Sequence, residues 1–188
     1  MLDDSSVFNI ESLDYRKVPN RDKISEVLYS IGDCNLFHGS NLEVREPRII
    51  KSPKTKDFGD GFYLTKFENQ ARDWAFRCSR FKGAPIISKF NFTYPSDLKV
   101  KVFKKCDNEW LDFIVACRTN KPHEYDIVEG PMADDTVYSR VSEYIRGKLT
   151  RDQFFYICNF RYITHQYCFC TERSLRYLKF LESYKVVE

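Results

Sequence analysis

The chain has 188 residues and a mass of 22.4 kDa, with 43% hydrophobic and 16% aromatic residues, enough for one packed domain and too apolar for intrinsic disorder. Its 30 basic and 27 acidic residues leave a formal charge of +3 spread without a basic block, so nothing in the composition marks a nucleic-acid backbone as partner. The seven cysteines follow no metal-ligand spacing and read as reduced thiols; an acidic start, Met1-Leu2-Asp3-Asp4, and no apolar run of membrane-spanning length predict a cytoplasmic protein with no membrane partner.

Residues 1–19 show little apolar periodicity and read as a loosely packed extension to a single domain over 20–188. Asn20 then caps a helix whose Ile24, Val27, Leu28 and Ile31 recur at helical spacing before Gly32 stops it. Leu36-Phe37-His38-Gly39-Ser40 reads as a short apolar strand that delivers a histidine and a glycine to its end. Asn41 to Lys56 form a surface loop, and the Lys51–Lys56 run reads as a solvated stretch. Asp57-Phe58-Gly59-Asp60-Gly61 is a glycine-hinged turn into a strand carrying Tyr63, after which Thr65-Lys66-Phe67-Glu68 matches a capping box for a helix ending near Gly83.

Alternating residues predict strands over 85–92 and 98–103, joined as an antiparallel hairpin by Tyr94-Pro95-Ser96-Asp97. Asn108 caps the next helix, Tyr125 to Val128 form a buried strand, and Asp134 or Asp135 opens another helix. Thr150 with Gln153 forms a second capping box for an aromatic helix running to about Ile163. A last strand covers 166–171, placing Cys168 and Cys170 on one face, and Leu175, Leu178 and Leu181 mark a closing helix. Strands and helices mix without strict alternation, so the fold class is α+β, a split antiparallel or mixed sheet with flanking helices.

The pairing of His38-Gly39-Ser40 with Gly59-x-Gly61-Phe62-Tyr63-x-Thr65 resembles the nicotinamide-binding half of the ADP-ribosyltransferase superfamily, in its histidine-tyrosine branch. The segments around Glu109-Trp110-Leu111-Asp112-Phe113 to Arg118 and Asp126 to Asp135 further resemble an uncharacterised bacterial family grouped with these transferases, and the likeness runs from about Asn35 to Leu181. The resemblance implies NAD as co-substrate. His38 would hold the adenine-side ribose, the Gly39 backbone would approach the nicotinamide carboxamide, and the Tyr63 ring would stack on nicotinamide. Ser40 and Thr65 fall within the same cofactor-binding segments. Gln166 stands where the family often places a glutamate, so an amide replaces the carboxylate that would hold the nicotinamide-side ribose; it bonds a hydroxyl but is neither base nor counter-charge.

These expectations place His38 and Tyr63 on neighbouring strands with both side chains in one cleft, Gln166 opening onto that cleft, and Tyr167 and Phe169 packed beneath a helix. Asp134 is read either as a helix cap or as a group near the reacting ribose, and Glu109 either as a first-turn dipole partner or as a substitute carboxylate. Three functions remain open: a transferase that passes ADP-ribose to a macromolecule, with protein favoured over nucleic acid; an NAD-binding module without turnover; and an unrelated interaction domain.

Overall fold

Among the described residues seven strands divide into two sheets because the chain carries two sets of inward-facing aromatics that must bury against each other. The computed structural model of the protein describes residues 9–17, 28–29, 32–51, 55–158 and 163–187. In the first sheet, β1 (Cys34–Ser40), β3 (Ile86–Phe92) and β7 (Leu178–Lys185) lie in the order β1-β3-β7, all antiparallel. The second holds β2 (Phe62–Leu64), β4 (Val100–Val102), β5 (Ile127–Gly130) and β6 (Gln166–Phe169) in the order β2-β6-β5-β4, with β4 and β5 parallel. Leu36, Phe90 and Phe92 from the first sheet meet Phe62, Leu64, Ile127, Tyr167 and Phe169 from the second in one buried cluster. Each fully buried aromatic here contributes on the order of 1.5–3 kcal/mol.

Helix α1 (Glu68–Ser79) covers the outer face of the first sheet, where Ala71 packs with Phe37 and Ile87. Helices α2 (Asn108–Arg118), α3 (Asp135–Ile145) and α4 (Arg151–Ile157) cover the outer face of the second through Trp110, Ile114, Val137, Val141 and Phe154 packed on Val128 and Cys168. The fold is α+β, as the mixed order of elements predicts. The Thr150–Gln153 capping box forms in full, and Asp134 caps α3 by accepting from the Thr136 and Val137 amides.

Several expectations give way to tertiary pairing. The hairpin between 85–92 and 98–103 does not form, because β3 is the central strand of its sheet with β1 and β7 on its two edges, so β4 crosses to the other sheet and pairs with β5. The closing helix is a single turn, α5 (Glu172–Leu175), followed by β7; the i, i+3 leucines fit a helix, but β3 offers a free edge and Leu181 stays exposed. The Thr65–Glu68 capping box is also absent: Thr65 Oγ1 accepts the Phe67 amide at 3.1 Å, one residue too early, while Glu68 takes the Tyr184 hydroxyl. Asp107, not Asn108, caps α2, and α4 ends at Ile157 because Cys158 is extended.

The extension is packed where it is described: Tyr15 is buried, stacks on Phe67 and donates to Asp73 at 2.7 Å. The helix expected from Asn20 to Ile31 lies outside the described residues apart from the buried Leu28 and Tyr29. Residues 52–54 of the lysine-rich loop and 159–162 after α4 lie outside them as well.

Candidate functional site

Strands β1 and β2 touch at one residue pair and then part. Phe37 and Thr65 exchange both backbone bonds, at 2.8 and 3.0 Å, as an isolated bridge between the two sheets. In antiparallel pairing successive residues turn their N–H and C=O groups to opposite edges. The groups of Gly39, two residues beyond Phe37, and of Tyr63, two before Thr65, therefore face each other across the gap. His38 wedges it: its Nδ1 lies 2.7 Å from the Tyr63 carbonyl oxygen. A carbonyl only accepts, so Nδ1 carries the proton. Burial, reinforced by Lys56, pushes the imidazole pKa below its usual value, so the ring is neutral near pH 7 and its Nε2 is an acceptor.

The two rings do not converge as expected. The His38 ring lies 4.4 Å from that of Phe62, on the side of the inter-sheet core, whereas Tyr63 leaves β2 on the opposite face and packs with Phe58 and Cys168 beneath the helices. Strand alternation enforces this, since His38 shares its face with Leu36 and Phe62 cannot share one with Tyr63. The Tyr63 hydroxyl donates to the Gly59 carbonyl at 2.7 Å and accepts the Phe58 amide at 3.1 Å, so it closes the turn that precedes its own strand. What the two residues share is the Tyr63 carbonyl and Lys56, whose Nζ stands 4.9 Å over the Tyr63 ring.

Gly39 is a glycine for a reason on its other side. A Cβ there would run into the Ala71 carbonyl and the Ala75 amide of α1, so the residue lets the helix lie on the strand. Its gap-facing groups are backbone in any case. Ser40 bonds within the Leu42 turn, accepting the Leu42 amide at 3.2 Å, and Thr65 fastens β2 to β1.

Gln166 sits on an almost dry face and not on the open wet face expected of it. Strand β6 lies between β2 and β5 with a core on each side, and all four of its residues are buried, so Tyr167 and Phe169 pack between the sheets and not beneath a helix. Gln166 keeps 6% of its surface and donates through Nε2 to Asp57 Oδ2 at 3.1 Å and to the Pro131 carbonyl at 3.4 Å. Asp57 also takes the Ala133 amide at 2.8 Å and an Arg118 Nη2 bond. Sequence reasoning left Arg118 without a role and did not single out Asp57; the one available signal was an acid directly before a glycine-hinged turn.

A second buried charge cluster was also missed. Glu129 pairs with Lys66 Nζ at 3.2 Å and His165 Nε2 at 2.9 Å, and Lys66 also donates to the Leu28 carbonyl. Burial pulls the Glu129 carboxyl upward, but His165, Lys66 and Tyr167 outweigh it and hold it below the usual carboxylate value. The other acids named from sequence face outward or tie loops: Glu109 pairs with Lys101, Asp112 with Arg151, and buried Asp126 with Arg173, Thr171 and the Lys99 amide. Cys168 and Cys170 share a face, their sulfurs 3.4 Å apart. A groove of about 580 Å³ beside Phe113, His123 and Tyr125 contains none of the expected site residues.

Residues 34–180 match the model of a family described as "Protein of unknown function (DUF3990)". The chain belongs to that family. The DUF3990 match takes in His38, Tyr63, Gln166 and the Asp57 cluster and leaves residues 1–33 outside. No curated protein matches the chain. Among the described residues no helix is long and apolar enough to cross a membrane, and no group of three or more His, Cys, Asp or Glu is arranged to hold a metal.

Proposed function

We propose that this protein is an NAD-dependent ADP-ribosyltransferase acting at the gap between β1 and β2, with a protein as the favoured acceptor and the cytoplasm as its place of action. The observation that carries the reading is the parted strand pair: His38 donates Nδ1–H to the Tyr63 carbonyl, which leaves Nε2 to accept a ribose hydroxyl. The facing N–H and C=O of Gly39 match a planar carboxamide, which offers one acceptor and one donor side by side. Lys56, held over the Tyr63 ring and near enough to His38 to lower its pKa, marks a position beside the gap where a cation is already accepted. A pyridinium fits such a position.

In the reaction the C1′–nitrogen bond of the nicotinamide riboside breaks, its electron pair stays on the nicotinamide nitrogen, and the acceptor nucleophile bonds C1′ while its proton passes to solvent or to a base of the acceptor. The residues at the gap bind and orient; stabilisation of the oxocarbenium-like centre falls to fixed dipoles. A second reading, an NAD-binding module without turnover, is favoured by one observation: the carboxylate bonded to Gln166, Asp57, is committed to Arg118, Ala133 and Gln166, so it is not free to act as a base there.

Titration calorimetry with NAD and a nicotinamide-release assay separate these. Tyr63→Ala is expected to weaken NAD binding by about 1–3 kcal/mol, the scale of one lost aromatic platform, and His38→Ala to weaken it as well. Binding without nicotinamide release, with or without a cell extract as acceptor source, would favour the second reading. No binding at all would sink both.

A further inference from the structure

We infer that Asp57 is a positioning residue that fixes Gln166 with its amide nitrogen inward and its carbonyl oxygen outward, so that position 166 offers the substrate an acceptor and selects a hydroxyl donor there. The orientation follows from chemistry. Gln166 Nε2 faces two groups that only accept, Asp57 Oδ2 at 3.1 Å and the Pro131 carbonyl at 3.4 Å; a flipped amide would set its own oxygen against both. Asp57 is held in turn by the Arg118 guanidinium on Oδ1 and the Ala133 amide on Oδ2, so both its oxygens act as acceptors and it demands a donor from position 166. Oε1 is bonded by no described residue, and Gln166 keeps 6% of its surface. Asp57 therefore accounts for an amide at 166: a second carboxylate would meet the first at hydrogen-bond distance, and the two would have to share one proton.

This rests on the transferase reading only for the substrate, where the donor would be a ribose hydroxyl of NAD. The other titratable groups around the pair are Arg118 and Cys117 on α2, Tyr63 on β2 and Cys168 on β6. The Cys117 thiol is pushed up to about 12 and the Tyr63 phenol well above 10, both chiefly by burial, so neither titrates between pH 5 and 8.

The experiment compares wild type, Gln166→Glu and the volume-matched Gln166→Met in Tm and in NAD affinity from pH 5 to 8. In Gln166→Glu a protonated carboxyl donates to Asp57 and keeps its carbonyl outward, as the glutamine does. The folded pKa of the shared proton is raised above the unfolded value, so stability is retained at low pH and lost as pH rises through it. Relative to wild type, Tm should fall by about 3–5 °C for each unit by which that pKa is raised. NAD affinity should fall across the same pH step, whereas Gln166→Met should bind NAD several-fold more weakly without a step. His38 titrates alike in all three proteins and cancels in the comparison. No Tm step in Gln166→Glu would overturn the contact with Asp57. A Tm step with NAD affinity equal in all three proteins would overturn the positioning role while leaving the transferase reading intact. A wild type that binds no NAD would overturn that reading and the substrate named here, and the Tm step would still decide the contact.

Discussion

Replacing Tyr63 by phenylalanine separates the two tasks the structure gives this side chain. The ring stays, but the hydroxyl that donates to Gly59 at 2.7 Å and accepts from Phe58 at 3.1 Å is lost. Each such bond contributes about 0.5–1.5 kcal/mol net, and a part-buried partner left unpaired adds its own desolvation cost. The Phe58 amide and Gly59 carbonyl belong to the turn that positions Lys56 and Asp57 on one side and β2 on the other. Tyr63→Phe should therefore lower stability by about 1–3 kcal/mol, which corresponds to roughly 2–4 °C in Tm per kcal/mol for a chain of this size. Because the stacking face remains, NAD affinity should stay within about twofold of wild type, unlike Tyr63→Ala. Urea unfolding followed by circular dichroism, alongside calorimetry with NAD, checks both halves. A Tyr63→Phe protein as stable as wild type would show that the phenol does not hold the turn, and an affinity loss equal to that of Tyr63→Ala would show that the hydroxyl, not the ring, meets the ligand.

Gly39→Ala should cost about 1–3 kcal/mol or more, since the new Cβ meets backbone of α1 that cannot rotate away; thermal unfolding indistinguishable from wild type would contradict the close approach of helix and strand. Glu129→Gln should cost about 3–5 kcal/mol by leaving the Lys66 ammonium buried without a counter-charge, and a loss below about 1 kcal/mol in urea titration would count against that pairing. Arg173, opposing the effect of burial, holds the Asp126 carboxyl down to about 2, so its stabilisation is present above the unfolded value of about 3.9 and is lost as pH falls through about 2. Asp126→Asn should thus be less stable than wild type at pH 7, with the gap closing towards pH 2 in pH-dependent unfolding; a gap independent of pH would rule out the ionised pair. Lys56→Ala should move the His38 titration midpoint upward, because Lys56 adds to burial in depressing it; an unmoved midpoint in an NMR titration would place Lys56 away from the gap.

The residue pattern alone determined the local elements whose signals are chemical and short-range. Thr150-x-x-Gln153 caps its helix because both partners lie within one turn, and the glycine-hinged segment before Tyr63 leads into a strand as its composition predicts. The α+β class follows from the same kind of pattern. Strand partners did not, since a strand reads the same whichever edge it joins: 98–103 fits a hairpin with β3 until β7 takes that edge, and the leucines that become β7 satisfy helical spacing equally well. The alternation at His38, Tyr63 and Gln166 was legible, but which face is dry was not. That depends on sheet order, and placing β6 between two strands with cores on both sides turned the polar position at Gln166 inward onto Asp57, a residue 109 positions away in sequence. Buried charges such as Lys66, Glu129 and Asp57 look like surface residues in a sequence; only the tertiary fold, by removing water from each and bringing its partner within hydrogen-bond reach, makes them part of the core.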